Sequence, residues 1–383
     1  ETLSLAWKTA RQGQQASYQP SATPTPQQQA MRYPELSLSS LLTPAPNGPT
    51  RVLFDLSERQ GNTANSVGIF ILDTNTGQVN QLIEAGYYLQ ALSPDGNQML
   101  ISQGNLLYQV AFDTGNRQLI SNQFFSPATS GGAAYARNGQ SIFYITGTPS
   151  ATVLTYQPFN GTPIALTPQG TNPIEILSIT TTQSVYWLQG SCTINGDCHG
   201  ESTWFSENNA TPPQPIAVNR PSLSPDETLI AYTQQSSVDL SKFSFSDPAL
   251  QAPVEVYLSG NHVLQYTWSP DSNWISVMTS VRNDYSGKNL SIRQFLVDRS
   301  YGRAFLHTES NGLNPLSIWS PNGQQILKLA SIRTSETPED ESTYISIQLV
   351  DVQNGANQLD LTSQAGLQSP HFLSIHNLFW LPR

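Results

Sequence analysis

From Arg51 onward the chain alternates short apolar runs with short polar turns. The runs at 69–72, 98–102, 141–146, 229–233, 274–279 and 325–329 are too short for amphipathic helices. They favour β-branched, aromatic and other large apolar residues, which predicts strands. One turn sequence recurs before them: Leu92-Ser93-Pro94-Asp95-Gly96, Leu223-Ser224-Pro225-Asp226-Glu227, Trp268-Ser269-Pro270-Asp271-Ser272 and Trp319-Ser320-Pro321-Asn322-Gly323. Looser copies are Tyr135-Ala136-Arg137-Asn138-Gly139 and Ile179-Thr180-Thr181-Thr182-Gln183. The copies recur about every 43–45 residues as far as Trp268, then at wider intervals, a period that signals propellers or arrays.

The turn chemistry explains the pattern. In Ser-Pro-Asp-Gly, serine suits the first place of a type I turn and proline presets φ at the second. Aspartate is tolerated at the third and glycine suits the fourth. Each copy therefore joins two antiparallel strands. A second hairpin signal lies between copies, as at 69–77, 108–115 and 349–355, so each period holds four strands, the content of one propeller blade.

This unit, Trp or Leu followed by Ser-Pro-Asp-Gly and an apolar strand, resembles the WD40-like repeat of TolB-type propellers. It also occurs in the propeller domains of prolyl-oligopeptidase-type enzymes. The resemblance covers roughly residues 51–383 and implies an all-β propeller. Six motifs with their strands leave one blade to be assembled from both ends. Residues 51–56 form a strand with no motif before it. Phe379-Trp380-Leu381 mimics the start of a motif and then the chain stops. Pairing those two ends would close a ring of seven blades, or six if the copy near 179 is not a true repeat. The motif tryptophans are expected to pack between blades.

Residues 1–50 read differently. Residues 2–12 can form a short helix with Leu3, Trp7 and Ala10 on one face, and the segment 17–50 is rich in Pro, Gln and Thr, which favours extended chain. The domain division expected is thus a tail over 1–50 and a propeller over 51–383. Trp7 and Tyr33 are the natural anchors by which the tail would hold a partner chain.

Composition narrows the function. There are 17 basic and 27 acidic residues, a net charge of −10, and charged residues are only 11% of the chain. A nucleic-acid binder is normally basic, so that class is excluded. No apolar run reaches the roughly 18 residues of a membrane span. The chain starts at Glu1, so a processed upstream segment, including a membrane anchor, is compatible with it. The low charge, the many Asn, Gln, Ser and Thr residues and the Thr-Pro stretch suit an extracytoplasmic protein. Cys192 and Cys198 flank Asn195-Gly196, a strong turn signal, so they can meet as a disulfide across a tight loop. Adjacent His199 keeps a zinc reading open, although no second Cys/His cluster completes it.

Catalytic signatures are sparse. The sequence has no Gly-x-Ser-x-Gly elbow, P-loop, dinucleotide fingerprint or His-Glu-x-x-His. His371 and His376 form a conceivable metal pair. Glu336, Glu339, Asp340 and Glu341 form the densest acidic cluster, in a polar loop. The connections at 190–200, 234–252, 280–289 and 332–342 read as long loops on one face. Phe243, Phe245, Arg282 and Tyr285 in them are expected to contact a partner. Sequons occur at Asn160, Asn209 and Asn289. These features predict no cofactor, no metal and no enzyme activity. They favour a structural or adaptor subunit of an envelope or surface assembly, which could include a filament or array. A glycan- or peptide-binding propeller is the alternative, and a hydrolase or lyase the third.

Overall fold

The computed structural model describes residues 38, 50–60, 63–125, 131–168, 171–192, 198–207, 213–235, 241–258, 262–280, 290–334, 342–355 and 358–382. The chain divides between Tyr33 and Pro34 into two units, and every described strand belongs to the second.

The strands follow one another as antiparallel sheets. β1 (Arg51–Gln60), β2 (Thr63–Asp73) and β3 (Val79–Ile83) belong to the first. β4 (Tyr88–Leu92), β5 (Gln98–Gln103), β6 (Leu106–Ala111) and β7 (Arg117–Ser121) make the second. β8 (Ala133–Tyr135), β9 (Ser141–Thr148), β10 (Ala151–Pro158) and β11 (Ile164–Ala165) make the third. β12 (Pro173–Ile179), β13 (Val185–Cys192), β14 (Cys198–Ser206) and β15 (Gln214–Ile216) make the fourth. β16 (Asn219–Leu223), β17 (Ile230–Gln235), β18 (Ser241–Ser246) and β19 (Val254–Val256) make the fifth. The last sheet has eight strands: β20 (His262–Trp268), β21 (Trp274–Ser280), β22 (Leu290–Asp298), β23 (Ala304–Trp319), β24 (Gln325–Arg333), β25 (Thr343–Asp351), β26 (Gln358–Asp360) and β27 (Gln368–Ser369). A single-turn helix, α1 (Thr362–Ala365), interrupts it before β28 (Phe372–Trp380), which returns to the first sheet beside β1.

The architecture is an all-β propeller, and alternation along each strand explains how its sheets stack. On β9, Ile142 and Tyr144 join a core with Ala91 and Leu100 of the second sheet. Their neighbours Phe143 and Ile145 point the other way and pack with Ile176, Val185 and Trp187 of the fourth. On β17 the division repeats: Ile230 and Tyr232 face Tyr186 of the fourth sheet, and Ala231 faces Ile275 of the last. A middle strand is therefore apolar on both faces, because each face is covered by a neighbouring sheet. Each large aliphatic or aromatic side chain buried there contributes about 1.5–3 kcal/mol. The fourth strands are not covered in this way, and β7 and β26 are exposed along much or all of their length.

Seven separate blades, or six, were expected. The structure holds five separate four-stranded sheets and one eight-stranded sheet. The cause is β23, which stays extended through 16 residues. Its first part pairs with β22 and its second with β24, so no connection divides the two groups of strands. The register shifts between Leu313 and Leu316, at Asn314 with φ 47° and at Pro315, which has no N–H to donate.

The two ends do meet. β28 runs antiparallel to β1, with Trp380 opposite Val52, Phe379 opposite Leu53 and Leu378 opposite Phe54. Leu381 then donates its N–H to Arg51 O at 2.9 Å and buries its side chain with Leu53, Leu89 and Met99. Leu38 also packs against that cluster, so residues before Arg51 contribute to this core. The motif tryptophans behave as expected at two positions. Trp268 Nε1 donates to Ser222 O at 2.9 Å, and Trp319 Nε1 donates to Thr267 O at 3.1 Å, each reaching the neighbouring first strand.

Candidate functional site

The recurrent turns share one hydrogen-bond design. Ser93 Oγ donates to Asp95 Oδ1 at 2.7 Å and accepts the Gln98 N–H at 2.9 Å. Ser224, Ser269 and Ser320 make the same two contacts with Asp226 and Leu229, Asp271 and Trp274, and Asn322 and Gln325. The fourth residue is left-handed whether or not it is glycine, with φ of 68° at Gly96, 58° at Glu227 and 63° at Ser272. The weak copy at Thr180 is a true turn. Its N–H donates to Ser184 O at 2.8 Å, one residue sooner than in the others.

Successive turns also touch one another. Pro94 lies against Gly139, Pro270 against Gly323, and Pro382 against Gly96. Asp226 N donates to Ser272 Oγ at 3.1 Å. Arg299, from the turn between β22 and β23, places Nη1 2.5 Å from Asp226 Oδ2 and donates to Thr228 Oγ1 at 2.6 Å. Burial opposes ionisation of Asp226. The hydrogen bonds from Ser224, Arg299 and Thr228 outweigh it and hold the carboxyl well below the usual carboxylate range. Arg137 donates to Pro225 O at 3.0 Å and pairs with Glu227 at 3.2 Å, reaching past the fourth sheet. This face is therefore laced with polar contacts between turns.

At the seam of the two chain ends, Asp55 is fully buried and accepts the Asn377 N–H at 2.8 Å. Asn377 Nδ2 donates to Leu89 O at 2.6 Å, which links β28 to β4. Burial pushes the Asp55 carboxyl up to about 7. Beside it, Ser57 Oγ lies 2.5 Å from His376 Nε2. The pairing has the form of a nucleophile with its base. Ser57 is only 2% exposed and lies inside the β1–β28 seam, so its hydroxyl is shielded from solvent as the chain is folded. Burial lowers the pKa of His376 and favours its neutral form.

The last sheet carries a third polar arrangement. Lys328, on β24, is 5% exposed, and its Nζ donates to Thr308 Oγ1 at 2.6 Å. Thr308 Oγ1 donates in turn to Gln294 Oε1 at 3.2 Å, and Gln294 Nε2 donates to Ser276 Oγ at 2.8 Å. A cleft opens beside Lys328, lined by Met278, Ser310, Asn311, Pro315, Ser346 and Gln348. Burial lowers the ammonium pKa to about 8. Nothing in the local sequence, Leu327-Lys328-Leu329, distinguishes this lysine from one whose head group reaches solvent.

The expected contact residues fare differently. Phe243 and Phe245 are not loop anchors. They lie on β18, 1% and 2% exposed, in the core shared with Trp268 and Ile275. The alternation in Lys242-Phe243-Ser244-Phe245-Ser246 is a strand signal inside what was read as one long loop. The long loop expected at 190–200 is likewise mostly strand, belonging to β13 and β14. Trp7, Tyr33, Arg282, Tyr285 and the acidic cluster at Glu336, Glu339, Asp340 and Glu341 lie outside the described residues. Cys192 stands directly opposite Cys198 in the β13–β14 register. His376 is engaged with Ser57, and among the described residues no group of three His, Cys, Asp or Glu side chains gathers to hold a metal ion.

Exposed apolar side chains occur elsewhere, near the end of β19 and at the start of β23. Tyr257 is 89% exposed, Tyr301 73%, Leu306 54% and Phe305 52%. The turn carrying Tyr301 abuts β19, since a Cβ on Gly302 would lie 2.5 Å from Val254 Cγ1. Loop-based reasoning missed this rim, because Phe305 and Leu306 belong to β23, Tyr257 directly follows β19 and Tyr301 lies in the tight turn before β23.

Solved structures resemble this one. A hypothetical selenium-binding protein from Sulfolobus tokodaii matches over 92% of this chain and 97% of its own, at 9% identity and a TM-score of 0.57. The β-propeller domain of the trilobed protease from Pyrococcus furiosus matches over 84% and 93%, at 9% identity and a TM-score of 0.52. TolB from Acinetobacter baumannii matches over 87% and 67%, at 15% identity and a TM-score of 0.49. At these identities the likeness is one of fold. No protein-family model and no curated protein sequence matches the chain.

Proposed function

We propose that this chain is a non-enzymatic, extracytoplasmic propeller that serves as a structural or adaptor subunit, docking onto another protein. In this reading the eight-stranded sheet counts as two blades, which gives seven around the axis, and β28 closes the ring against β1. Cys192 and Cys198 form a disulfide, which suits an oxidising compartment. The N-terminal tail acts as a tether through Trp7 and Tyr33.

The observation that carries the reading is the apolar rim at Tyr257, Tyr301, Phe305 and Leu306. Exposed tyrosine and phenylalanine are the side chains that protein interfaces favour. The rim also lies beside strands whose outer edges can accept another strand.

Size-exclusion chromatography with light scattering tests the reading on three forms: the full chain, the chain lacking residues 1–33, and the full chain with Tyr301→Ser and Leu306→Ser. The cut falls before Pro34 because Leu38 belongs to the propeller core. Self-association of the full chain that either change weakens supports the subunit reading. A monomer in all three forms removes self-assembly, and the rim double variant then serves as the control in a search for a different protein partner. A soluble glycan or peptide that binds the loop-rich face with the rim unchanged would favour the binding-module reading instead.

A further inference from the structure

The buried lysine of the last sheet has a fixed role as a donor. Gln294 spends its amide N–H on Ser276 Oγ, so its Oε1 faces Thr308 and takes the Thr308 hydroxyl proton. Thr308 Oγ1 is then left to accept, and it accepts from Lys328 Nζ. An ammonium has three donors, and this contact uses one. No ion pair involving Lys328 occurs among the described residues. The nearby titratable group is His307, whose Nε2 meets Asp351 O at 3.0 Å. A buried, unpaired cation is costly, by several kcal/mol in general.

The cleft beside the ammonium has polar residues along it. Ser310, Asn311, Ser346 and Gln348 stand along its wall, and the rest, with Met278, Pro315, Leu329 and Ala330, is apolar. The free space is about 10 Å³, close to the size of one water molecule. Room of that size suits a small ligand at the inner end. We propose that this cleft binds one small monoanion against Lys328, either a free halide or the carboxylate end of a larger molecule. The anion supplies the missing countercharge, and the hydroxyl and amide donors complete its shell.

The test compares thermal unfolding of the full chain with that of Lys328→Met at pH 7 and constant ionic strength. The sodium salts used are chloride, formate, succinate and the bulky 2-(N-morpholino)ethanesulfonate. The expected result is a midpoint that rises with chloride or formate relative to the bulky anion, while the variant shows no difference among salts. The rise should follow RT ln(1 + [L]/Kd). Succinate acting at least tenfold below the formate concentration would identify the carboxylate end of a larger molecule, and chloride acting alone a free ion. Equal responses in the two proteins, or no response in either, would overturn the proposal.

If Lys328→Met does not fold, amine reactivity of the unaltered chain decides. The sequence has four lysines, Lys8, Lys242, Lys288 and Lys328, which a protease digest can separate for mass spectrometry. Reductive methylation with formaldehyde and dimethylamine–borane as hydride donor at pH 8 should slow at least threefold at Lys328 when the effective anion is added. The other three serve as internal controls. Unchanged labelling at Lys328 would sink the idea.

Discussion

Arg137 and Glu227 form an ion pair at 3.2 Å although the whole fourth sheet lies between their turns in the sequence. The Glu227 carboxylate also accepts from the Thr181 N–H at 2.6 Å and the Thr181 hydroxyl at 3.0 Å. One side chain thus ties the turns of three successive sheets. Neither partner is fully exposed, so the pair should exceed an ordinary surface ion pair. A double-mutant cycle with Arg137→Ala and Glu227→Gln should give a coupling of about 0.5–1.5 kcal/mol in urea unfolding. The Glu227→Gln change keeps an acceptor for the Thr181 N–H, so it isolates the charge. A coupling near zero would make the contact incidental.

Pro382, next to last in the sequence, occupies the place at Gly96 that Pro94 takes at Gly139. A Cβ at Gly96 would stand 2.5 Å from Pro382 Cδ, and the residue has φ 68°. Gly104 has a similar φ of 57° and nothing within 4 Å of the same position. Gly104→Ala should therefore cost only the left-handed penalty, about 1–2 kcal/mol. Gly96→Ala should cost at least about 1 kcal/mol more, through overpacking. In a chain ending at Leu381 the two costs should converge. If they stay apart without Pro382, the contact with the chain end is not the cause.

Much of this was readable from the sequence. Ser-Pro-Asp-Gly fixes a turn through local hydrogen bonds that need no tertiary partner, so the turns at Ser93, Ser224, Ser269 and Ser320 were legible. The pairing of the chain ends was legible because Trp380-Leu381-Pro382 repeats a motif start. Other features depended on what packs against what. Phe243 and Phe245 have the same local alternation whether their strand is covered or bare. Lys328 is polar by type and buried only because two groups of strands meet over it. The continuity of β23 hides in Glu309–Pro315, whose Asn-Gly and Asn-Pro pairs read as a break between sheets.

Trp268 ties two first strands together through one indole N–H. Replacing it with phenylalanine keeps most of the ring's burial and leaves Ser222 O without this donor. Trp268→Phe should destabilise by about 1–3 kcal/mol, from a lost hydrogen bond and some lost packing. Trp274→Phe is the control, since Trp274 packs beside Phe305 and against Trp319 and Ile326, and its indole has no such inter-strand contact among the hydrogen bonds described. Equal midpoints for the two variants would deny Trp268 any special role.

Cys192 and Cys198 face each other in register across β13 and β14. If they are joined, the intact chain should resist thiol alkylation when unfolded, and should gain two alkyl groups after reduction. The enclosed loop is short, so reduction should cost no more than about 2–3 kcal/mol. Alkylation of the unreduced, unfolded chain at both positions would remove the disulfide.

Asp55 should give the fold an unusual pH dependence. Its carboxyl is raised by burial from 3.8 to about 7. Below pH 4 the group is protonated in both folded and unfolded chains and costs nothing. Between pH 4 and 7 the unfolded chain ionises while the folded one stays protonated, so this group makes stability fall as pH rises. Above pH 7 the loss is complete, at up to about 4 kcal/mol. Asparagine has the same shape, keeps an oxygen for the Asn377 N–H, and does not ionise. The stability of Asp55→Asn relative to the unaltered chain should therefore climb from pH 4 to 7 and then level off. Other carboxylates cancel in the difference. Guanidinium unfolding of both proteins at pH 4, 5.5, 7 and 8.5 measures it. A difference that stays flat across that range would mean that Asp55 ionises as readily in the fold as in the unfolded chain. A variant that is less stable at every pH would mean that the carboxylate itself holds the seam between β1, β28 and β4.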